Sequence, residues 1–166
     1  VANIASIAGF SWQRRIAEIN DFLDTPDFSS GLAWWEAHKN ELKIDPYSFS
    51  KECVVVLTMR QAGLTLGRGA RANSVSPGPV ETSLLPDFKR QMGEEQLQWV
   101  INKIGRAAQP KDIAEVLCFL ATGPSTWVNG RDIIVDGGYS TGISARWIDP
   151  GEAPIRHAKV NKSENN

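Results

Sequence analysis

Tyr47-Ser48-Phe49-Ser50-Lys51 holds the two residues whose types and spacing can move a proton. On a helix, positions four apart share one face, so Tyr47 and Lys51 point the same way. A phenol ordinarily titrates near ~10, which suits it poorly to proton exchange at neutral pH. A nearby ammonium stabilises the phenolate and lowers that value. Bringing it to about 7 takes roughly 4 kcal/mol of differential stabilisation. A third group must then orient the substrate oxygen. Ser6 supplies a hydroxyl where the apolar stretch Val1 to Ala5 ends, and ligands of open parallel sheets bind at the C-terminal ends of strands. Taken singly, the tyrosine and lysine also read as a solvated surface pair, and the serine as a strand-end hydrogen bonder.

The elements that must position these groups follow from pattern. Val1 to Ala5 suits a buried parallel strand, closed by the small-residue turn Ser6-Ile7-Ala8-Gly9. Trp12, Ile16, Ile19 and Leu23 fall at helical intervals behind Ser11, a candidate N-cap, and Thr25-Pro26-Asp27 ends that helix. A short helix is predicted from about Gly31 to Asn40. Asp45-Pro46 opens the next, since aspartate caps and proline favours the first helical position. That helix runs from Tyr47 towards Leu66, with Gly67 and Gly69 ending it. Ala72 to Val75 reads as a strand and Pro77-Gly78-Pro79 as a turn. A looser helical region broken by Pro86 and Gly93 has its stronger part at Glu94 to Ile104. A helix over Ile113 to Ala121 and a strand over Asp132 to Val135 complete the pattern. From about Trp147 the chain is polar and aperiodic, which predicts a frayed terminus. Alternation of strands and helices is the α/β signature.

Composition excludes several classes. The 166 residues carry 18 basic and 19 acidic side chains, a net charge of -1, so charge gives no case for nucleic acid. No apolar run approaches the ~20 residues of a membrane span. Cys53 and Cys118 are far apart and form no CxxC pair, which removes zinc-finger and disulfide-framework readings. No metal site is expected. Two free thiols fit a reducing cytosol, so a cytoplasmic protein is expected. Both cysteines read as core. His38 and His157 read as solvated, Asp45 as a cap, and Arg14-Arg15 and Lys89-Arg90 as surface charge. The chain opens at Val1 without Met. Three strands are few for a parallel sheet, so a longer protein is expected, with this chain its C-terminal part.

In order, the chain presents Ser6, Tyr47-xxx-Lys51, Asn73-Ser74-Val75-Ser76-Pro77-Gly78-Pro79-Val80-Glu81-Thr82 and Val135-Asp136-Gly137-Gly138. The helix Pro110 to Ala121 and the Trp127-Val128-Asn129-Gly130 turn stand at fitting places between. This order resembles the second half of the short-chain dehydrogenase/reductase family, over about Val1 to Gly142. The resemblance implies the C-terminal part of a doubly wound Rossmann-type parallel sheet, its first half absent, with residues 143–166 as a tail. It implies NAD or NADP as cofactor. By the same carry-over Tyr47 is the general acid/base, and Lys51 lowers the Tyr47 pKa and hydrogen-bonds the nicotinamide ribose. Ser6 polarises the substrate oxygen. The Pro77-Gly78 turn approaches the nicotinamide closely, Val80 backbone groups pair with its carboxamide, and Thr82 reaches carboxamide or phosphate.

The departures are informative. The family's glycine-rich phosphate turn and its catalytic asparagine are not in this sequence, so the chain alone is expected to bind dinucleotide and turn over poorly. Ala5 stands where the family often has a first serine. The interval from Ser6 to Tyr47 is long, with an insertion over about Trp12 to Ile44. Such an insertion resembles the subgroup of bacterial 3α-hydroxysteroid dehydrogenase/carbonyl reductase and coniferyl-alcohol dehydrogenase. That implies a small apolar alcohol or carbonyl as substrate, and a homo-oligomer, dimer or tetramer. The family's usual dimer through the Tyr47 helix is expected to be obstructed by the insertion, moving assembly to the end of the last strand. Trp34 and Trp35 have two readings, substrate contact or burial of the insertion against the body. An epimerase or dehydratase of the same fold, and a non-catalytic dinucleotide-binding fragment, are the rival functions.

Overall fold

Three short strands, β1 (Ala2–Ile4), β2 (Asn73–Pro77) and β3 (Asp132–Val135), hydrogen-bond in the order β1-β2-β3. In this computed structural model, which describes residues 1–154 apart from the Gln91 side chain, β1 runs parallel to β2 with Ala2 opposite Asn73 and Ile4 opposite Val75. The Ser74 amide donates to the Arg131 carbonyl and the Gly78 amide to the Val135 carbonyl, so β2 and β3 also advance together. Parallel neighbours need long crossovers, which helices provide. Helices α1 (Ile16–Leu23), α2 (Phe28–Leu42) and α3 (Pro46–Thr65) join β1 to β2. Helices α4 (Leu85–Met92), α5 (Glu94–Ile104) and α6 (Pro110–Ala121) join β2 to β3, and α7 (Tyr139–Ala145) follows. This is the expected α/β class, a small parallel sheet with helical crossovers. Among the described residues no helix is long and apolar enough to cross a membrane. Two compact units divide the chain: Val1–Ser76 with Val116–Ile134, and Pro77–Glu115 with the chain from Val135 onward.

In the first unit the aspartates decide where helices begin. Asp45 accepts from the Ser48 amide at 2.9 Å, and Pro46 takes the first helical position, as expected. Asp27 accepts from the Ser30 amide at 2.8 Å, so α2 starts at Phe28, earlier than the predicted Gly31. Ser11 caps nothing: Trp12–Arg15 winds as a tight 3-10 turn and α1 begins only at Ile16. The insertion is therefore a helical pair laid on α3. Ile19, Phe49, Cys53 and Val56 form a buried cluster, with Trp12, Phe22, Trp34, Trp35, Leu42 and Ile44 packed around it. Phe49 is its hub. Phe22 meets it edge-on at 5.4 Å, Trp34 stacks on it at 5.8 Å and Trp35 leans on it at 5.3 Å. Burying such an aromatic ring is worth about 1.5–3 kcal/mol. Of the two readings for Trp34 and Trp35, this packing is the structural one. His38 stacks on Trp34 at 4.2 Å, half-buried where solvation was expected.

The sheet's buried polar groups are satisfied in pairs. Ser74 donates to Asp132 at 2.7 Å and Ser76 to the same carboxylate at 2.9 Å. Asn73 donates to the Val128 carbonyl at 2.9 Å and accepts from the Arg131 amide at 3.0 Å. These bonds hold the Trp127–Gly130 turn, so an unpaired amide does not destabilise the interior.

The second unit departs from the sequence expectations at two places. Pro86 does not break the helical region, because it stands in the first turn of α4 where a missing amide costs nothing. The break falls at Gly93, whose φ of 89° leaves the helical region. The terminus is not frayed from Trp147. A Cβ on Gly142 would lie 2.6 Å from Ile148 Cδ1, and Ile148 drops into that notch at 2% exposure. Lys103 of α5 donates to Glu152 at 2.6 Å, which holds the segment after α7. Packing of a few apolar residues ordered what composition alone described as tail. Residues 155–166, with His157, lie outside the described residues. Cys118 of α6 is exposed, not core.

Candidate active site

Ser6, Tyr47 and Lys51 all belong to the first unit. The β1 strand ends at Ile4, and Ser6 opens the 3-10 turn Ile7–Gly9 by accepting from the Ala8 amide at 3.2 Å. That bond occupies a lone pair and leaves the hydroxyl hydrogen to donate. Tyr47 and Lys51 lie on the first turns of α3, as the helical spacing predicts. The Lys51 ammonium is 5.7 Å from the Tyr47 ring centroid, within cation–π range. It also donates to the Ile4 carbonyl at 3.2 Å, two residues before Ser6. One lysine thus touches the tyrosine on its own helix and the strand end that carries the serine. All three side chains are half-buried, which suits groups that must meet a ligand.

Burial holds the Lys51 ammonium below its ordinary pKa. The unfolded chain therefore binds the proton more readily than the folded one. The resulting penalty is full below the folded pKa and relieved as pH rises through the ordinary lysine value. The Ile4 carbonyl sits on a part-exposed residue and can turn to water. Lys51→Met is accordingly expected to melt at or above the wild-type temperature at neutral pH while losing activity, a trade-off typical of functional sites. Differential scanning calorimetry beside a turnover assay checks this; a large drop in melting temperature would make Lys51 a structural residue. Cys53, two residues on, is inert by comparison, its thiol pushed up to about 12 by burial and by the neighbouring Glu52 charge.

Sequence reasoning missed the contacts that seat these residues. Asn3 on β1 donates to Thr58 at 2.8 Å and to Gln61 at 2.9 Å, both on α3. Gly9 presses on the α3 backbone: a Cβ there would lie 2.7 Å from the Lys51 carbonyl oxygen. Arg15 was read as surface charge. It instead donates through Nε to Glu52 at 2.7 Å, and its guanidinium pairs with the other oxygen of the same carboxylate. Glu52 is wholly buried. A glycine in a small-residue turn was a faint local signal for Gly9. Nothing local marks Glu52.

Pro77, Gly78, Val80 and Thr82 belong to the second unit. Gly78 has a visible reason to lack a side chain, since its Cβ would lie 3.0 Å from Asp136 Cα. The turn after β2 and the Val135-Asp136-Gly137-Gly138 motif are thus in direct contact. Asp136 accepts from the Gly138 and Ser140 amides at 2.9 and 2.7 Å, which fixes the start of α7. Val80 bridges Ala108 in parallel through the Pro79 carbonyl and the Glu81 amide, each at 2.8 Å. In such a bridge the middle residue's own amide and carbonyl point to the opposite side. The Val80 donor and acceptor therefore face away from Ala108. Thr82 is exposed and its hydroxyl accepts from the Leu84 amide at 3.3 Å. It lines an open cavity of about 570 Å³ with Glu81, Leu85, Pro86 and Lys89. Among the described residues no group of three or more His, Cys, Asp or Glu side chains gathers at one place.

Parallel strands joined by helical crossovers make part of a Rossmann-like α/β fold. Residues 31–140 match the family described as "Enoyl-(Acyl carrier protein) reductase". The chain is 32% identical to coniferyl-alcohol dehydrogenase of Pseudomonas sp. (strain HR199 / DSM 7063) over 85% of its own length and 55% of that protein's. A putative 2-deoxy-D-gluconate 3-dehydrogenase from Agrobacterium tumefaciens, solved with bound NADP, superposes with a TM-score of 0.59 at 22% identity, covering 85% of this chain and 46% of that one. A 4-hydroxyisoleucine dehydrogenase complexed with NADH superposes with a TM-score of 0.51 at 20% identity, covering 85% and 46%. The chain belongs to the short-chain dehydrogenase/reductase family. It spans about half the length of the curated relative and solved structures it matches.

Proposed function

We propose that this chain carries the proton-transfer residues of an NAD(P)-dependent oxidoreductase interconverting an apolar alcohol and its carbonyl. The observation that carries the reading is Lys51, which sits 5.7 Å from the Tyr47 ring centroid and 3.2 Å from the Ile4 carbonyl. Each unit by itself offers groups of the kind a nicotinamide nucleoside takes: in the first, Lys51 retains N–H donors for a ribose hydroxyl, and in the second, Val80 has a backbone donor and acceptor suited to a carboxamide and Thr82 a hydroxyl. When bound, the nicotinamide accepts or supplies a hydride at the substrate carbon.

The chain's own groups handle the oxygen. The Ser6 hydroxyl donates to it and holds it in place. Tyr47 Oη gives the oxygen a proton in reduction and takes one in oxidation. Lys51 steadies the negative charge that forms on Tyr47 when its proton leaves. The aromatic-alcohol activity in the name of the Pseudomonas relative supports a rigid or aromatic alcohol as substrate; a hydroxysteroid is the alternative within the same class. We also expect a homo-oligomer.

Expression of the whole reading frame that contains this chain tests the reading. Reduced nicotinamide is expected to accumulate when coniferyl alcohol, cyclohexanol or a hydroxysteroid is added with NAD⁺ or NADP⁺. Dinucleotide binding without turnover on any apolar alcohol or carbonyl would sink it.

A further inference from the structure

The Ser6 turn and the Tyr47-Lys51 helix are separate pieces of chain, and something must set the gap between them. Three contacts do so, at successive positions. The Lys51 side chain reaches the Ile4 carbonyl before the turn. Gly9, ending the turn, rests on the backbone of Lys51 and Glu52 with no room for a Cβ. Arg15, just beyond, holds the wholly buried Glu52 by two parallel hydrogen bonds. Glu52 is the residue after Lys51, so the ion pair and the Gly9 contact bear on one peptide unit.

We propose that Arg15, acting through Glu52, is a positioning residue that holds the Ser6 turn in register with Tyr47 and Lys51. This rests on the proton-transfer reading above and adds a role for the insertion, since Arg15 belongs to it. The physical case lies in geometry. A guanidinium and a carboxylate joined by two parallel bonds fix distance and orientation together, which a single contact does not. The pair also lies where a small slide of the turn along α3 has the largest consequence. Misplacing a catalytic group by about 1 Å can cost on the order of 10²-fold in rate. The close seat of Gly9 on α3 and the paired bonds of Arg15 both resist such a slide. Arg60 offers a comparison from the same helix. It binds Asn20 at 3.0 Å and Asp24 at 2.8 Å, tying the insertion to α3 far along from Lys51.

The test compares Arg15→Met, Arg15→Lys and Arg60→Met in the protein made from the whole reading frame. Hydrogen exchange at the Ala8 and Gly9 amides, which Ser6 holds, reads the turn directly and needs no activity. Arg15→Met is expected to speed that exchange well beyond Arg60→Met at matched global stability, with Arg15→Lys between. In turnover, Arg15→Met is expected to lower kcat by roughly 10- to 100-fold, with the KM for dinucleotide nearly unchanged. Adding Ser6→Ala should then cost much less than it does in the wild type, because both changes act on one group. Equal exchange in the Arg15 and Arg60 variants, or additive losses with Ser6→Ala, would overturn the positioning role. Loss of the proton-transfer reading would show otherwise, as full turnover in Tyr47→Phe with the exchange pattern intact.

Discussion

Replacing Tyr47 by phenylalanine is expected to lower kcat by about 10²- to 10⁴-fold, the usual worth of a general acid/base. That range corresponds to roughly 3–5.5 kcal/mol of transition-state stabilisation. The substitution removes one oxygen and keeps the ring. Lys51 can still lie over that ring and donate to the Ile4 carbonyl. Tyr47 is half-buried on the first turn of α3, with Phe49 and not Tyr47 at the hub of the core. Fold and dinucleotide affinity should therefore change little. The split matters, because an effect confined to KM would indicate lost binding, whereas equal falls in kcat and kcat/KM indicate an interaction made only in the transition state. Steady-state kinetics with separate dinucleotide titrations measures both. Turnover within about tenfold of wild type would remove Tyr47 as the proton donor.

Arg15→Met is expected to be among the most destabilising single changes outside the apolar core. Glu52 is wholly buried, and the Arg15 side chain is 20% exposed. Removing one partner of a buried pair typically costs about 3–5 kcal/mol, because the remaining charge has neither water nor counter-ion. Partial exposure on the arginine side favours the lower end of that range. A loss near ~3 kcal/mol lowers the melting temperature of a domain this size by roughly 6–12 °C. The pair itself need not stabilise the fold, since well-packed apolar replacements of similar volume are often neutral. Arg15→Met combined with Glu52→Leu should therefore recover most of the loss. Thermal unfolding of both variants decides it. If the single variant melts with the wild type, Glu52 has water or another cation in solution. If the double variant melts as low as the single one, lost packing and not the stranded charge is the cause.

These two predictions divide along the line between what sequence showed and what it hid. Tyr47 and Lys51 were legible because four positions on a helix make one face, and Asp45-Pro46 announced where that helix begins. Local rules sufficed there, as they did for β2, β3 and α5. The order of Ser6, Tyr47-xxx-Lys51, Pro77 to Thr82 and Val135 to Gly138 carried the family resemblance, which the match over residues 31–140 bears out. Local rules misjudged Ser11, Pro86 and the segment after α7. Ser11 precedes a 3-10 turn and makes no side-chain cap bond, the first turn of α4 tolerates proline, and Ile148 finds the notch at Gly142.

Residue type and spacing were enough to name the chemical groups and the α/β class, because helix faces, caps and turns are decided within a few residues of chain. Chain folding alone revealed why Gly9 lacks a side chain, where Trp34 and Trp35 are packed, and that Arg15 is the part-exposed partner of a buried carboxylate. Arg15 and Glu52 are close only because the insertion folds back onto α3. A carboxylate's partner is chosen by which surfaces exclude water together, and that depends on packing between segments remote in the chain.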